Sequence, residues 1–95
     1  MEALLKHKEV EVIHNCTPTH VHFEISRKIM AAGKHDISEK PLSMTTKESA
    51  ELVKLSKKSG GVNAIDFNCR YYPLVQEARS IVANGKLGDV FHATG

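Results

Sequence analysis

The sequence predicts an α/β fold in which short strands alternate with helices in the order β-α-β-α-β-α-β, and three observations carry that prediction. A run rich in β-branched residues, Val10 to Cys16, breaks at Thr17-Pro18. Apolar residues then recur at Val21, Ile25, Ile29 and Ala32, the stripe of an amphipathic helix that stops at Gly33. Further on, Thr45-Thr46-Lys47-Glu48 has the form of a capping box, and Gly60-Gly61 closes the helix it starts. Connections of crossover length between successive strands imply a mostly parallel sheet with helices packed on it.

Ninety-five residues hold at most one small domain, which buries only about 60–65% of its unfolded surface. Thirteen Lys and Arg stand against 11 Asp and Glu, a net charge of +2, with lysines spread among glutamates. That pattern excludes the basic stripe of a nucleic-acid binder and the helix of a membrane-surface protein. No run approaches the roughly 18 apolar residues of a membrane span. Cys16 and Cys69 lie far apart behind no apolar leader, so free thiols in a reducing cytoplasm are expected rather than a disulfide framework.

In chain order, Glu2 to Lys8 reads as the last turns of a helix, and Val10 to Cys16 as the first strand. The helix that follows begins at Thr19 or His20 and ends at Ala32. His35 to Glu39 is a short second strand, in which Asp36 is an awkward residue for a buried parallel strand. The capped helix runs to about Ser59, with Ala50, Val53 and Lys57 on one line and Leu52 and Leu55 beside it as its buried face. Val62 to Phe67 is the third strand. Asn68-Cys69-Arg70-Tyr71-Tyr72 is a polar and aromatic loop, and Pro73 opens a third helix through Leu74, Ala78, Ile81 and Val82 that ends at Asn84-Gly85. Val90-Phe91-His92-Ala93 begins a fourth strand. With a helix tail at one end and a strand start at the other, the chain reads as cut at both ends.

Four signatures, Thr17-Pro18-Thr19-His20-Val21-His22, Gly33-Lys34-His35 leading to Glu39-Lys40-Pro41-Leu42, Arg70-Tyr71-Tyr72-Pro73, and Gly85-Lys86-Leu87-Gly88-Asp89-Val90, together resemble the Gfo/Idh/MocA family. That is the family of glucose–fructose oxidoreductase and inositol dehydrogenase, whose members exchange hydride between NAD or NADP and a sugar, cyclitol or related alcohol. The resemblance covers nearly the whole chain. It implies that residues 1–68 are the second half of a Rossmann-type NAD(P)-binding domain and that 69–95 begin an α+β substrate domain. The Gly-rich turn of the first half and the family's downstream aspartate and histidine have no counterpart in this sequence, so the chain alone is expected to be inactive.

The same resemblance implies the roles of individual residues. Lys40, at a strand's carboxyl end, stands between nicotinamide and substrate, where an ammonium holds the substrate oxygen and assists loss of its proton. Glu39 pairs with Lys40 and lies near the nicotinamide ribose, and Pro41 follows a cis peptide bond. Thr17 and Pro18 pass the backbone close to the cofactor ribose, and His22 matches a histidine at that site. Arg70 and Tyr71 lie against the nicotinamide and the substrate. A plain alternative stands beside each: a surface lysine, a solvated carboxylate, a histidine packed at a helix start, and an interdomain salt bridge with stacking. Two residues depart from the family pattern. Thr19 replaces the usual asparagine, and Asp36 replaces an apolar residue and is expected to weaken the second strand.

Cys16-x-x-x-His20-x-His22 fits no ordinary zinc spacing, and no metal is expected. The partners expected are a small alcohol or sugar and, for a full-length relative, further copies of itself joined through the substrate-domain sheet; nucleic acid and membrane are not expected. The competing function is a truncated, non-catalytic paralogue that pairs with a full-length relative through its exposed sheet edge.

Overall fold

Three short strands, β1 (Val12–Asn15), β2 (His35–Ser38) and β3 (Asn63–Ile65), lie side by side in that order, all parallel. The computed structural model describes residues 1–94. Crossovers from β1 to β2 and from β2 to β3 are made by α2 (His22–Ala31) and α3 (Thr46–Ser59), which pack on one face of the sheet and on each other. The first three expected strands are present and shorter at their ends. A five-residue helix, α1 (Glu2–Lys6), precedes β1, and α4 (Pro73–Ala83) follows β3. Among the described residues no helix is long and apolar enough to cross a membrane.

Register and alternation decide what is buried. Ile13 pairs with Asp36 and Asn15 with Ser38, while Asp36 pairs in turn with Asn63. These residues share the face that the helices cover, and Ile13, Asn15, Asp36 and Ser38 are buried there with Ile29, Met30 and Leu52. The opposite face carries Val12 and His14 and is open.

The helix boundaries follow from local chemistry. Thr45 Oγ1 accepts from the Glu48 amide at 3.2 Å and Glu48 Oε2 accepts from the Thr45 amide at 3.0 Å, which completes the capping box. Gly60 takes φ 70°, the left-handed geometry that lets α3 stop.

The buried faces differ from the periodicity expected. On α2 the buried residues are His22, Ser26, Ile29 and Met30, while Val21 and Ile25 are half-buried and Ala32 is exposed. The stripe is turned by about one residue because Asn15, on β1, donates from Nδ2 to the Ser26 hydroxyl at 3.1 Å and to the His22 carbonyl at 3.2 Å. Those bonds draw polar groups inward. On α3, Leu52 is buried and Leu55, Ser56 and Ser59 are half-buried, whereas Ala50, Val53 and Lys57 are exposed. The sheet ends at β3, so the Val53 and Lys57 side of α3 overhangs it and borders an open cavity of about 230 Å³.

The fourth strand is absent among the described residues: 90–94 carry no strand pairing, and Phe91 is 92% exposed. A strand needs a neighbour to take its amides and carbonyls, and among the described residues none pairs with this segment.

Candidate functional site

All three strands point the same way, so the segments that leave their carboxyl ends meet at one edge. The backbone stitches them together there: the Glu39 amide donates to the Asn15 carbonyl at 3.0 Å and the Asp66 amide to the Ser38 carbonyl at 2.8 Å. That edge therefore gathers Thr17-Pro18 after β1, Glu39-Lys40-Pro41 after β2, and Asp66 to Tyr71 after β3. In an open parallel sheet it is the edge at which ligands bind.

Lys40 is exposed, and the Lys40–Pro41 peptide is cis. The pairing expected between Glu39 and Lys40 does not form. The Glu39 carboxylate instead faces His14, with Oε1 3.8 Å from Nε2, and the same ring lies 3.9 Å from Asp66 Oδ2. His14 projects from the open face of β1, directly under the loops after β2 and β3, and so takes the nearer position.

Thr17 is half-buried and fixed on both sides. Its hydroxyl donates to Asn15 Oδ1 at 2.7 Å, and its carbonyl faces His22 Nε2 at 2.7 Å. Pro18 is exposed. His22 stands apart from the groove: it is 1% exposed, and its second nitrogen, Nδ1, lies 2.7 Å from the Pro41 carbonyl. The ring is packed between the loops after β1 and β2, each nitrogen against a carbonyl.

Arg70 and Tyr71 lie in a 3₁₀ turn, Asn68–Tyr71, at the same end of the sheet; both are exposed, and the Arg70 carbonyl accepts from Gln76 Nε2. The Arg70 guanidinium pairs with no carboxylate among the described residues. It is left available to an anionic or hydroxylated ligand.

Three residues that sequence reasoning passed over for this corner are His14, Cys16 and Asp66. Donor atoms of His14, Cys16 and Glu39 lie within 4.8 Å of one another, which is a different grouping from Cys16, His20 and His22. The alternation of β1 was a usable signal for His14, since it marks the residue as pointing away from Ile13 and Asn15. Asp66 could be found only from the parallel pairing of β3.

Asp36 lies behind the corner, in the core. It is 1% exposed, and Oδ1 has no hydrogen-bond partner, as is also true of Asn63 Oδ1 on the neighbouring strand. Burial pushes the Asp36 carboxyl up from its ordinary value, with the Ser26 hydroxyl and then His14 and His22 pulling the other way.

Residues 1–67 match the family model described as an oxidoreductase family with an NAD-binding Rossmann fold. The chain is 33% identical over 93 residues to D-glucoside 3-dehydrogenase of Escherichia coli, covering 98% of this chain and 26% of that protein. It is 32% identical over 93 residues to levoglucosan dehydrogenase of Pseudarthrobacter phenanthrenivorans, covering 98% and 24%. Its fold is similar to the crystal structure of an inositol dehydrogenase homologue from Azotobacter vinelandii complexed with NADH and myo-inositol, with a TM-score of 0.85 and 28% identity over 93% of this chain and 24% of that one. The chain thus spans about a quarter of the length of the relatives it matches.

Proposed function

The chain belongs to the Gfo/Idh/MocA oxidoreductase family with its NAD-binding Rossmann fold, and from that membership we propose that it is the part of a dehydrogenase that presents Lys40 to a nicotinamide cofactor and an alcohol. NAD or NADP lies along the carboxyl edge of the sheet, over the Thr17-Pro18 backbone and beside Glu39. Residues 1–68 are the second half of the nucleotide-binding domain, and 69–95 lead into a substrate domain. The substrate class is a sugar, cyclitol or related alcohol, in keeping with the relatives' names. Two exposed free cysteines suit a reducing cytoplasm, and the whole protein is read as a homo-oligomer.

The observation that carries this reading is the convergence of three strand ends on one edge, with Lys40 free of internal side-chain partners after the second strand and Arg70 in the turn after the third. When bound, the nicotinamide accepts or gives the hydride. Lys40 holds the substrate oxygen and lowers the cost of removing its proton. Arg70 and Tyr71 border the substrate, the guanidinium as donor and the ring as a flat wall. Glu39, held off Lys40 by His14, is free to accept from a ribose hydroxyl.

The test is reduction of NAD⁺ or NADP⁺ by the protein purified from its source, against a panel of sugars and cyclitols, with Lys40→Ala alongside. Turnover on at least one polyol and a loss of about 10²–10⁴-fold on substitution are expected for a group acting on the proton. Unchanged turnover in Lys40→Ala contradicts the assignment. The 95 residues by themselves are expected to turn nothing over.

A further inference from the structure

His22 is the first residue of α2, yet what it binds lies in two loops. Nε2 lies 2.7 Å from the carbonyl of Thr17, which leaves β1, and Nδ1 lies 2.7 Å from the carbonyl of Pro41, which follows Lys40. The ring is thus a bridge between the two segments that flank the cofactor edge. Its own carbonyl is taken by Asn15 Nδ2 at 3.2 Å, and Asn15 Oδ1 takes the Thr17 hydroxyl at 2.7 Å, so Thr17 is gripped by both the strand and the helix. The loop with Lys40 is held at its start by the Glu39 amide on the Asn15 carbonyl at 3.0 Å, and beyond the lysine by His22. Lys40 itself makes no side-chain bond among the described residues, and the connection to α3 is fastened further on, by Ser43 to Thr45 and Ser49.

Carbonyl oxygens only accept hydrogen bonds. A ring with one hydrogen donates to one of the two carbonyls and stands against the other at 2.7 Å, so the ring fills the gap between the loops whichever nitrogen carries the hydrogen. Of the titratable groups around the ring, the Asp36 carboxyl on β2 is the one whose charge it feels through the core, while His14 on β1 points to the opposite face of the sheet. Elsewhere around it stand the neutral side chains of Asn15, Thr17 and Ser26.

We propose that His22 is a positioning residue for Lys40: set between the two carbonyls, its ring ties the loop after β2 to the loop after β1 and so fixes where the lysine stands above the sheet edge. The inference rests on reading Lys40 as the residue at the reacting corner. It assigns His22 an effect on binding without contact, because the ring is sealed from solvent and both its nitrogens are occupied.

The experiment is nuclear magnetic resonance on the 95-residue chain, wild type and His22→Gln, with NADH as the probe. The glutamine keeps a donor nitrogen but lacks the ring whose two edges meet both carbonyls, so it holds one loop at a time. In the wild type, the ring N–H of His22 should exchange slowly with solvent and show coupling across a hydrogen bond to the Thr17 or the Pro41 carbonyl. Fast exchange with no such coupling overturns the strap, and this reading stands even where the variant fails to fold. In a folded His22→Gln chain, the amides of Glu39 and Lys40 should lose order while those around Leu52 keep it, and NADH binding should weaken about tenfold, the effect of losing one such bond. Unchanged order at Lys40 with unchanged NADH binding refutes the proposal. Loosening of Lys40 in a chain whose wild type shows no NADH response supports the strap and instead refutes the cofactor reading.

Discussion

Residues 12–65 and residues 66–94 are built from similar material and end in opposite conditions. The first stretch holds every buried residue among those described, Ile13 through Leu52, and each of its helices has a sheet to lie on. In the second, α4 is as amphipathic as α2 in sequence, with Leu74, Ile81 and Val82 along it, yet it packs chiefly against the turn before it and leaves Leu74 84% exposed. The difference teaches that helix formation and helix burial are separate questions. Pro73 at its first turn and a helical pattern suffice for the first. A docking surface decides the second, and among the described residues only the β1-α2-β2-α3-β3 unit supplies one.

The sharpest way to break that comparison is to truncate a leucine in each half. Leu52→Ala should cost about 2–5 kcal/mol of unfolding free energy in urea, while Leu74→Ala should change it by no more than about 0.5 kcal/mol. Similar losses would mean that α4 shares the core. Next in size is Asp36→Val, which removes a buried carboxyl with an unpartnered oxygen and should raise stability by about 1–3 kcal/mol, visible as a higher Tm. A lower or unchanged Tm would mean that the carboxyl is matched to its surroundings.

The same residue sets a pH dependence. Because its folded value is raised by burial, the folded state holds the proton more tightly than the unfolded one. Its stabilising share is complete below the unfolded value, about 3.9, and is lost as pH rises through the folded value. Wild type should therefore lose stability relative to Asp36→Asn as pH climbs above about 4, and denaturant midpoints of the two measured side by side test the sign. A parallel course excludes Asp36 as the source. The smallest effect expected is that of Thr45→Ala, about 1 kcal/mol, from loss of the capping box. Hydrogen exchange should show it concentrated in the first turn of α3.

What the sequence made legible was what neighbouring residues decide. The strand runs, the helix stop at Gly33, the capping box at Thr45 and Glu48 and the proline at the head of α4 all rest on contacts within a few positions. What it hid depends on register. The turn of α2 toward His22 and Ser26 follows from Asn15 reaching across from β1, and the open side of α3 follows from the sheet ending at β3. The corner was legible as a set of loops but not as a set of pairings. Glu39 beside Lys40 in sequence suggests an ion pair, whereas parallel strands bring His14 into reach of both Glu39 and Asp66. Family resemblance named Lys40, Thr17 and Arg70; only the assembled edge says which of them are free to meet a ligand.

The measurement that tests the account most directly is titration of the ¹⁵N-labelled chain with NADH, following each backbone amide. The account predicts weak, millimolar-range binding, with shifts confined to Thr17 and Thr19, Glu39 and Lys40, and Asp66 through Tyr71. Shifts confined to the cavity beside α3, or none at all at millimolar NADH, would contradict it.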